Sequence, residues 1–286
     1  MVERANPAET GEAWTRVAQD WIGRVGQVWA AQWRKTDRAF GGMTAQLEAL
    51  IGNVAPRRAF KAFDIGCGAG STGLALAAMR PEAEIVGVDL SIDLLAVARE
   101  RAGEDGRFRF VQGDAVTIAG AEAPVDLFVS RHGVMFFDDP VAAFTRFAAA
   151  AAPGGAMVFS CFADMAANGW SRLGGGDTPP SASTAPGPFA FADPDRVRDL
   201  LARAGWRGEA RRCDFAYRVG EGPDPVEDAM AFLTRIGPAA TRLRQVPEAE
   251  RPAILAWLRE ALARQVAGEA IDYPASAWLW HAVRQV

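Results

Sequence analysis

From Phe60 to Phe162 short apolar runs alternate with longer stretches whose apolar positions recur at helical spacing. The runs at 60–65, 84–89, 107–112, 124–130 and 155–162 predict strands, and 71–79, 91–102 and 139–150 predict helices. Between the third and fourth strands the pattern predicts only a short loop. Such alternation predicts a parallel sheet with helices on both faces. Downstream, FADPDRVRDLLARAGW predicts a helix with Asp193 as N-cap, Pro194 in the first turn and Gly205 as the stop. A strand at about 209–218 follows, then a helical region over 223–268 in which Ile254, Leu255, Leu258, Leu262 and Val266 share a face. PASAWLWHAVRQV supplies an apolar-rich final strand. The helices between the last two strands are expected as an insertion beside the sheet edge.

Two segments stand outside this alternation. Residues 8–50 are helical in pattern and carry Trp14, Trp21, Trp29 and Trp33 near one face. They read as a core-facing stripe or as a lid whose rings line an active-site entrance. Residues 164–190 contain GGGDTPPSASTAPGP, which has no periodicity and predicts a loop without regular structure. The expected organisation is one domain over 1–286: an N-terminal helical lid (8–50), a core (51–220 and 271–286) and a helical insertion (221–270).

The densest chemical signal is KAFDIGCGAGSTGLALAAMRPEAEIVGVDLS, residues 61–91. Here a strand runs into Gly66, Gly68 and Gly70, a helix follows, and a second strand ends on Asp89. A glycine turn lets backbone approach a ligand and aims the free N–H groups of the helix start at it. A carboxylate at the tip of the second strand, about 20 residues on, meets a ribose in doubly wound sheets. The site therefore reads as one for a nucleoside. A dinucleotide fingerprint would be G-x-G-x-x-G, whereas this pattern is D-x-G-x-G-x-G, with Asp64 ahead of the glycines. That carboxylate repels a pyrophosphate and suits a ligand bearing an ammonium group.

At these residues the chain resembles the class I methyltransferases that use S-adenosyl-L-methionine (SAM). DIGCGAG resembles their first motif, GVDLS their second, and QGDA (Gln112–Ala115) their third. SRHGVMFFDDP, PGG at Pro153–Gly155 and PGPFAFADPDRVRDLLARAGW are similar to the ubiquinone/menaquinone-biosynthesis branch, as is the tryptophan-bearing N-terminus. The Gly/Pro-rich loop after Trp170 departs from the more helical substrate cover expected there. The resemblance implies a Rossmann-like, mostly parallel seven-stranded sheet with an antiparallel last strand. It also implies roles: Gly66, Cys67, Gly68 and Gly70 for the loop under the cofactor, with Asp64 fixing that loop or meeting the ammonium through a water. Asp89 would accept the ribose hydroxyls, Leu90 pack on the adenine, and Asp114 with the Ala115 N–H read its edge. Ser130 and Arg131 would reach the amino-acid end.

Substrate contacts are expected from Trp21, Trp29, Trp33, Met135 and Phe136. His132, on the loop after the fourth strand, is the candidate general base, its ordinary pKa of about 6.5 suiting proton abstraction; packing within the loop is the alternative. His281 reads as structural.

Composition narrows the partners. The net charge of −4 and pI near 5.4 argue against a general nucleic-acid binder and disfavour tRNA or rRNA as the methyl acceptor; with the resemblance, the expected acceptor is a small, partly apolar or aromatic molecule. Residues 1–10 lack the apolar core of a signal peptide and no run reads as a membrane span, so a cytoplasmic enzyme is expected. Cys67, Cys161 and Cys213 read as reduced thiols, and neither they nor the two histidines have a metal-ligand spacing. Two other readings stay open at this level: a non-catalytic SAM-binding scaffold and, weakened by the glycine spacing, a nucleotide-dependent oxidoreductase.

Overall fold

The computed structural model describes residues 15–175 and 184–285. Its strands are β1 (Phe60–Ile65), β2 (Ala83–Asp89), β3 (Phe108–Gln112), β4 (Val125–Arg131), β5 (Ala151–Phe162), β6 (Trp206–Glu221), β7 (Val266–Ala267) and β8 (Ala270–Arg284). They form one sheet in the order β3-β2-β1-β4-β5-β8-β6, with the two-residue β7 added against β8. Strands β1 to β5 are parallel to one another, while β8 runs antiparallel between β5 and β6. This is the mostly parallel Rossmann-like sheet expected from the sequence, with one short strand more than the seven.

Helices α1 (Arg16–Ile22), α2 (Arg24–Ala31), α3 (Trp33–Ala39) and α4 (Gly41–Val54) precede the sheet. Within it follow α5 (Ser71–Met79), α6 (Ile92–Ala102), α7 (Ala115–Glu122), α8 (Pro140–Ala150) and α9 (Pro194–Arg203); between β6 and β7 come α10 (Pro225–Leu233), α11 (Pro238–Gln245) and α12 (Arg251–Ala263). Capping explains many of the starts. Ser91, Asp139, Asp193 and Asp224 each accept a backbone N–H of the helix they open, the last three just ahead of a proline in its first turn.

Four expectations need correction. The stretch between β3 and β4 is not a loop but α7, whose cap is Asp114; its eight residues, AVTIAGAE, offer too little polar contrast to show a period. The N-terminal segment is not one helix. It breaks at Gly23, Gln32 and Phe40, so its tryptophan spacing is not that of a single face; Trp14 and residues 176–183 lie outside the described residues. The start of the 164–190 segment does hold regular structure, with 3₁₀ turns at Met165–Ala167 and Gly169–Gly174. Fully buried Asn168 explains this, because its amide donates to Ala163, Asp164 and Ser276 carbonyls while its oxygen accepts from Ser276 N–H and Trp170 Nε1. Finally, the insertion is not confined to the edge. Its α10 packs on β6, but α11 packs against Gly169–Gly174.

Aromatic rings fill the sheet's core. Phe63, Phe128 and Phe147 meet one another, Trp206 meets Phe128, and Phe159 stacks on Trp280 at 5.8 Å. Fully buried Trp206 also donates from Nε1 to the Phe144 carbonyl at 2.9 Å, tying β6 to α8. Trp206→Ala should cost about 3–5 kcal/mol of stability. Trp206→Phe, which keeps an aromatic ring but loses this hydrogen bond and part of the packing, should cost about 1–3 kcal/mol. Urea denaturation measures both; a loss for the alanine variant no larger than for the phenylalanine variant would contradict this packing.

Candidate functional site

The site begins where β1 stops. Gly66, Gly68 and Gly70 have φ of +61°, +54° and +82°, so the chain turns through left-handed conformations that side chains resist. Two carboxylates hold the turn. Asp89, at the tip of β2, accepts the Gly68 N–H at Oδ2 and the Ser91 N–H at Oδ1, both at 2.8 Å. Asp64 accepts the Gly73 N–H from α5 at 3.1 Å, and its other oxygen is buried without a partner. Burial pushes the Asp64 carboxyl up to about 7, against the Gly73 N–H and Arg131, with Asp89 adding repulsion. Burial also raises Asp89, against its backbone donors. At the tip of β3, Asp114 accepts Val116 and Thr117 N–H and the Thr117 hydroxyl.

The N-terminal helices close over this floor through one network. Arg131 Nη2 donates to Asp37 at 2.6 Å, the Ser71 hydroxyl donates to the same carboxylate, and Arg101 Nη1 lies 3.1 Å from it while also donating to the Ala69 carbonyl. Burial works against Asp37 ionising, but Arg131, Ser71 and Arg101 outweigh it, and its carboxyl lies below the usual range. The Arg101 guanidinium sits 4.2 Å over the Trp33 ring. Farther up, α2 lies on the turn after β2: a Cβ on Gly26 would stand 2.2 Å from Ser91 Oγ and 2.3 Å from the Trp21 carbonyl, so only glycine fits. Trp21 contacts both Trp29 and Phe136 with centroids 5.4 Å apart.

Beneath these helices is a cavity of about 1810 Å³. That exceeds the roughly 300–1,000 Å³ of a pocket for one ligand, so a cofactor and a second molecule can share it. One part is lined by Gly66, Cys67, Gly68, Asp89, Leu90, Asp114 and Ala115; another by Phe40, His132, Phe162, Trp170, Phe189 and Tyr217. His132 has φ +63°, the one non-glycine residue with positive φ among the described residues, at a cost of about 1–2 kcal/mol. Such strain clusters at functional sites. Its Nδ1 lies 2.7 Å from Ser160 Oγ. Burial first, and then Arg131, pull its pKa down to about 3, far from the near-neutral base expected.

Most of the residues singled out in the sequence line this cavity: besides those just named, Trp21, Trp29, Trp33, Arg131, Met135 and Phe136 do so. Three do not. Gly70 starts α5 and faces Ala98. Asp64 is 1% exposed and acts through the Gly73 N–H. Ser130 is fully buried, its hydroxyl donating to the Ile65 carbonyl and accepting the Gly133 N–H, so it cannot also reach a ligand. Sequence reading missed Asp37, Phe40, Phe162, Tyr217 and the arginines of 235–244. Only Tyr217 carried a signal, as one of two tyrosines in the chain.

A positive-φ glycine loop, a strand-tip carboxylate with lone pairs to spare for a diol, and a cavity with room for a second molecule suit a nucleoside-dependent group-transfer site. Residues 62–155 match the family described as a methyltransferase domain. The chain is 29% identical over 238 residues to trans-aconitate 2-methyltransferase of Methylobacterium radiotolerans, covering 78% of this chain and 83% of that one. It is 30% identical to malonyl-[acyl-carrier protein] O-methyltransferase of Xylella fastidiosa, but only over about a third of either chain (35% and 34%). Among solved structures, the [4+2]-cyclase SpnF shares the fold, with a TM-score of 0.55 at 16% identity over 92% of this chain and 96% of that one. The chain carries a class I SAM-dependent methyltransferase domain. It is an enzyme of that kind, and S-adenosyl-L-methionine is its cofactor.

Asp64 gives the ligand-free protein a pH dependence of known sign. Its native pKa lies above the unfolded value of 3.8, so the native state binds the extra proton, and its stabilising contribution fades as pH rises from about 4 through about 7. Asp64→Asn should flatten that part of the stability profile. Urea titrations at pH 5 and pH 8 on both proteins check this; equal slopes would remove Asp64 as the source.

Proposed function

We propose that the enzyme transfers the SAM methyl group to a small, partly apolar or aromatic molecule seated among Phe40, His132, Phe162, Trp170 and Tyr217. The observation that carries this reading is the division of one cavity into a glycine-and-carboxylate part and an aromatic part. SAM supplies an activated methyl on a sulfonium; the protein's task is alignment and exclusion of water, and positioning alone is worth roughly 7–11 kcal/mol. Gly66, Cys67 and Gly68 would pass beneath the methionine and ribose, Asp89 would accept the ribose hydroxyls, and Leu90 and the Ala115 N–H would face the adenine. Asp114 would accept the exocyclic amine with the lone pairs its cap leaves free. Arg131 would face the amino-acid end while holding Asp37.

Helices α1 to α3, the 165–175 turns and α11 would form the cover, within a single unit built on the sheet. The ubiquinone/menaquinone-like branch remains our reading from SRHGVMFFDDP and PGPFAFADPDRVRDLLARAGW. No helix among the described residues is long and apolar enough to cross a membrane, and the three free, buried thiols suit a reducing cytoplasm.

Calorimetric titration should show SAM and its product S-adenosylhomocysteine binding where NAD does not. Tight NAD binding without a response to SAM would overturn the reading. Asp89→Ala should weaken SAM by about 1.5–3 kcal/mol, the size of a hydrogen bond to a charged group; an unchanged affinity would take Asp89 out of the site. Gly26→Ala should unseat α2 from Ser91, raising hydrogen exchange across 15–33 in the SAM-bound protein. Unaltered exchange there would mean that these helices are not the cover.

A further inference from the structure

The aromatic part of the cavity holds two polar groups whose valences nothing in the protein satisfies. His132 and Tyr217 both pack on Phe40, with ring centroids at 4.9 and 5.4 Å. Phe162 closes on His132 at 4.3 Å, and Trp170 on Tyr217 at 5.5 Å. His132 is 92% buried and its Nε2 has no partner, nor does the Tyr217 hydroxyl have one among the described residues. The hydroxyl proton of Ser160 likewise has no acceptor there except His132 Nδ1, 2.7 Å away. Ser160 is therefore the donor, and a neutral imidazole that accepts at Nδ1 carries its proton at Nε2. His132 thus carries an N–H at Nε2, and Tyr217, on the other ring packed against Phe40, a phenolic O–H: two donors in an apolar box.

Arginines predominate around this part of the cavity, with Asp20 lining it beside Arg244. Arg172 lies on the same turn as Trp170, and Arg235, Arg242 and Arg244 lie on the segment that packs against that turn; all four line the cavity. Residues 165–175 and 229–246 contain no Asp or Glu. Neither Arg172 nor Arg235 has an ion-pair partner among the described residues, and burial first and then Arg24 hold the Arg244 guanidinium below its usual range, with Asp20 opposing them. Arg172, Arg235 and Arg244 are exposed to solvent, so they form a cationic rim whose field draws an anion toward the pocket.

Resting on the methyl-transfer reading, we propose that the acceptor is a carboxylic acid with an apolar or aromatic body, its carboxylate held by the Tyr217 hydroxyl and the His132 Nε2–H. His132 is then a hydrogen-bond donor, not a base. One carboxylate oxygen shares an electron pair with the methyl carbon as the C–S bond breaks, and that bond's electron pair returns to sulfur. An ester and a neutral thioether result; the negative charge and the sulfonium charge cancel, and no proton moves. This explains why the site can hold its histidine neutral. The groups packed on His132 are Ser160 and Phe162 from β5, Phe40 between α3 and α4, and Tyr217 of β6 beyond it; the charge acting on it is Arg131.

The test is calorimetry on the full chain saturated with S-adenosylhomocysteine, titrated with cinnamate, octanoate and trans-aconitate and with their amides. At least one acid should bind about 10-fold or more tightly than its amide, as expected for hydrogen bonds to a charged group. Its affinity should stay flat from pH 6 to pH 9. Tyr217→Phe, which keeps the ring packing, should lose most of that preference. His132→Gln, which can still offer an N–H, should retain more of it than His132→Leu. If acids and amides bind alike while S-adenosylhomocysteine still binds, the carboxylate proposal fails and the methyl-transfer reading stands. A preference undiminished in both Tyr217→Phe and His132→Leu also overturns it. If S-adenosylhomocysteine itself does not bind, the underlying reading falls as well.

Discussion

The Asp89 carboxylate at the end of β2 is the constraint on which the rest of the site depends. A loop that turns through three left-handed glycines has no side chains of its own to fix it, and free glycine backbone is costly to order. Asp89 offsets this by accepting one N–H from the loop and one from the start of the next helix, at 2.8 Å each. Asp64 does the same one strand away through Gly73. The loop thus inherits the rigidity of two buried parallel strands, and the cavity floor is set before any ligand arrives. The electrostatic cost is visible in both carboxyls, which burial raises above their usual range.

The cover depends on that floor through a second carboxylate cluster. Asp37, on α3, is bonded at once to the loop after β1 through Ser71 and Arg101 and to the tip of β4 through Arg131. Ion pairs at surfaces contribute little, but these are partly buried and share hydrogen bonds with backbone, so they form a network and not a set of isolated pairs. Arg131 belongs to both tiers, since it also faces the cavity and acts on His132 and Asp64. A change in how the N-terminal helices sit is therefore felt electrostatically at the centre of the site.

Carboxylates are prominent at one part of the cavity and arginines at the rim of the other. Carboxylates stand at the tips of β2 and β3, where a cationic, hydroxyl-rich cofactor fits, whereas the 165–175 and 229–246 segments contribute arginines alone. Between them lies an aromatic box that excludes water and so strengthens whatever polar contacts are made inside it. The neutral His132 follows from this placement: buried against Phe40 and Phe162, with Arg131 as the neighbouring charge, its imidazolium form is disfavoured twice.

Local patterns determined the sheet and the cofactor floor. Strands β1 to β5, the glycine loop and the tips at Asp89 and Asp114 were legible because each is written in contiguous residues: apolar runs, glycines on alternate positions, a carboxylate closing a strand. Where local contrast was weak the sequence was silent, as at α7, which has almost no polar residues to reveal its period. Only the tertiary structure decided what meets across the chain. Asp37 and Arg131 are 94 positions apart, Asn168 and Ser276 are 108 apart, and His132 and Tyr217 each pack on Phe40 from distant parts of the chain. No periodicity marks such pairs, because each is created by packing between elements and not by propensity within one. The same holds for the protonation of His132 and Asp64: their ordinary pKa values belong to the residue types, and burial among particular neighbours moved them.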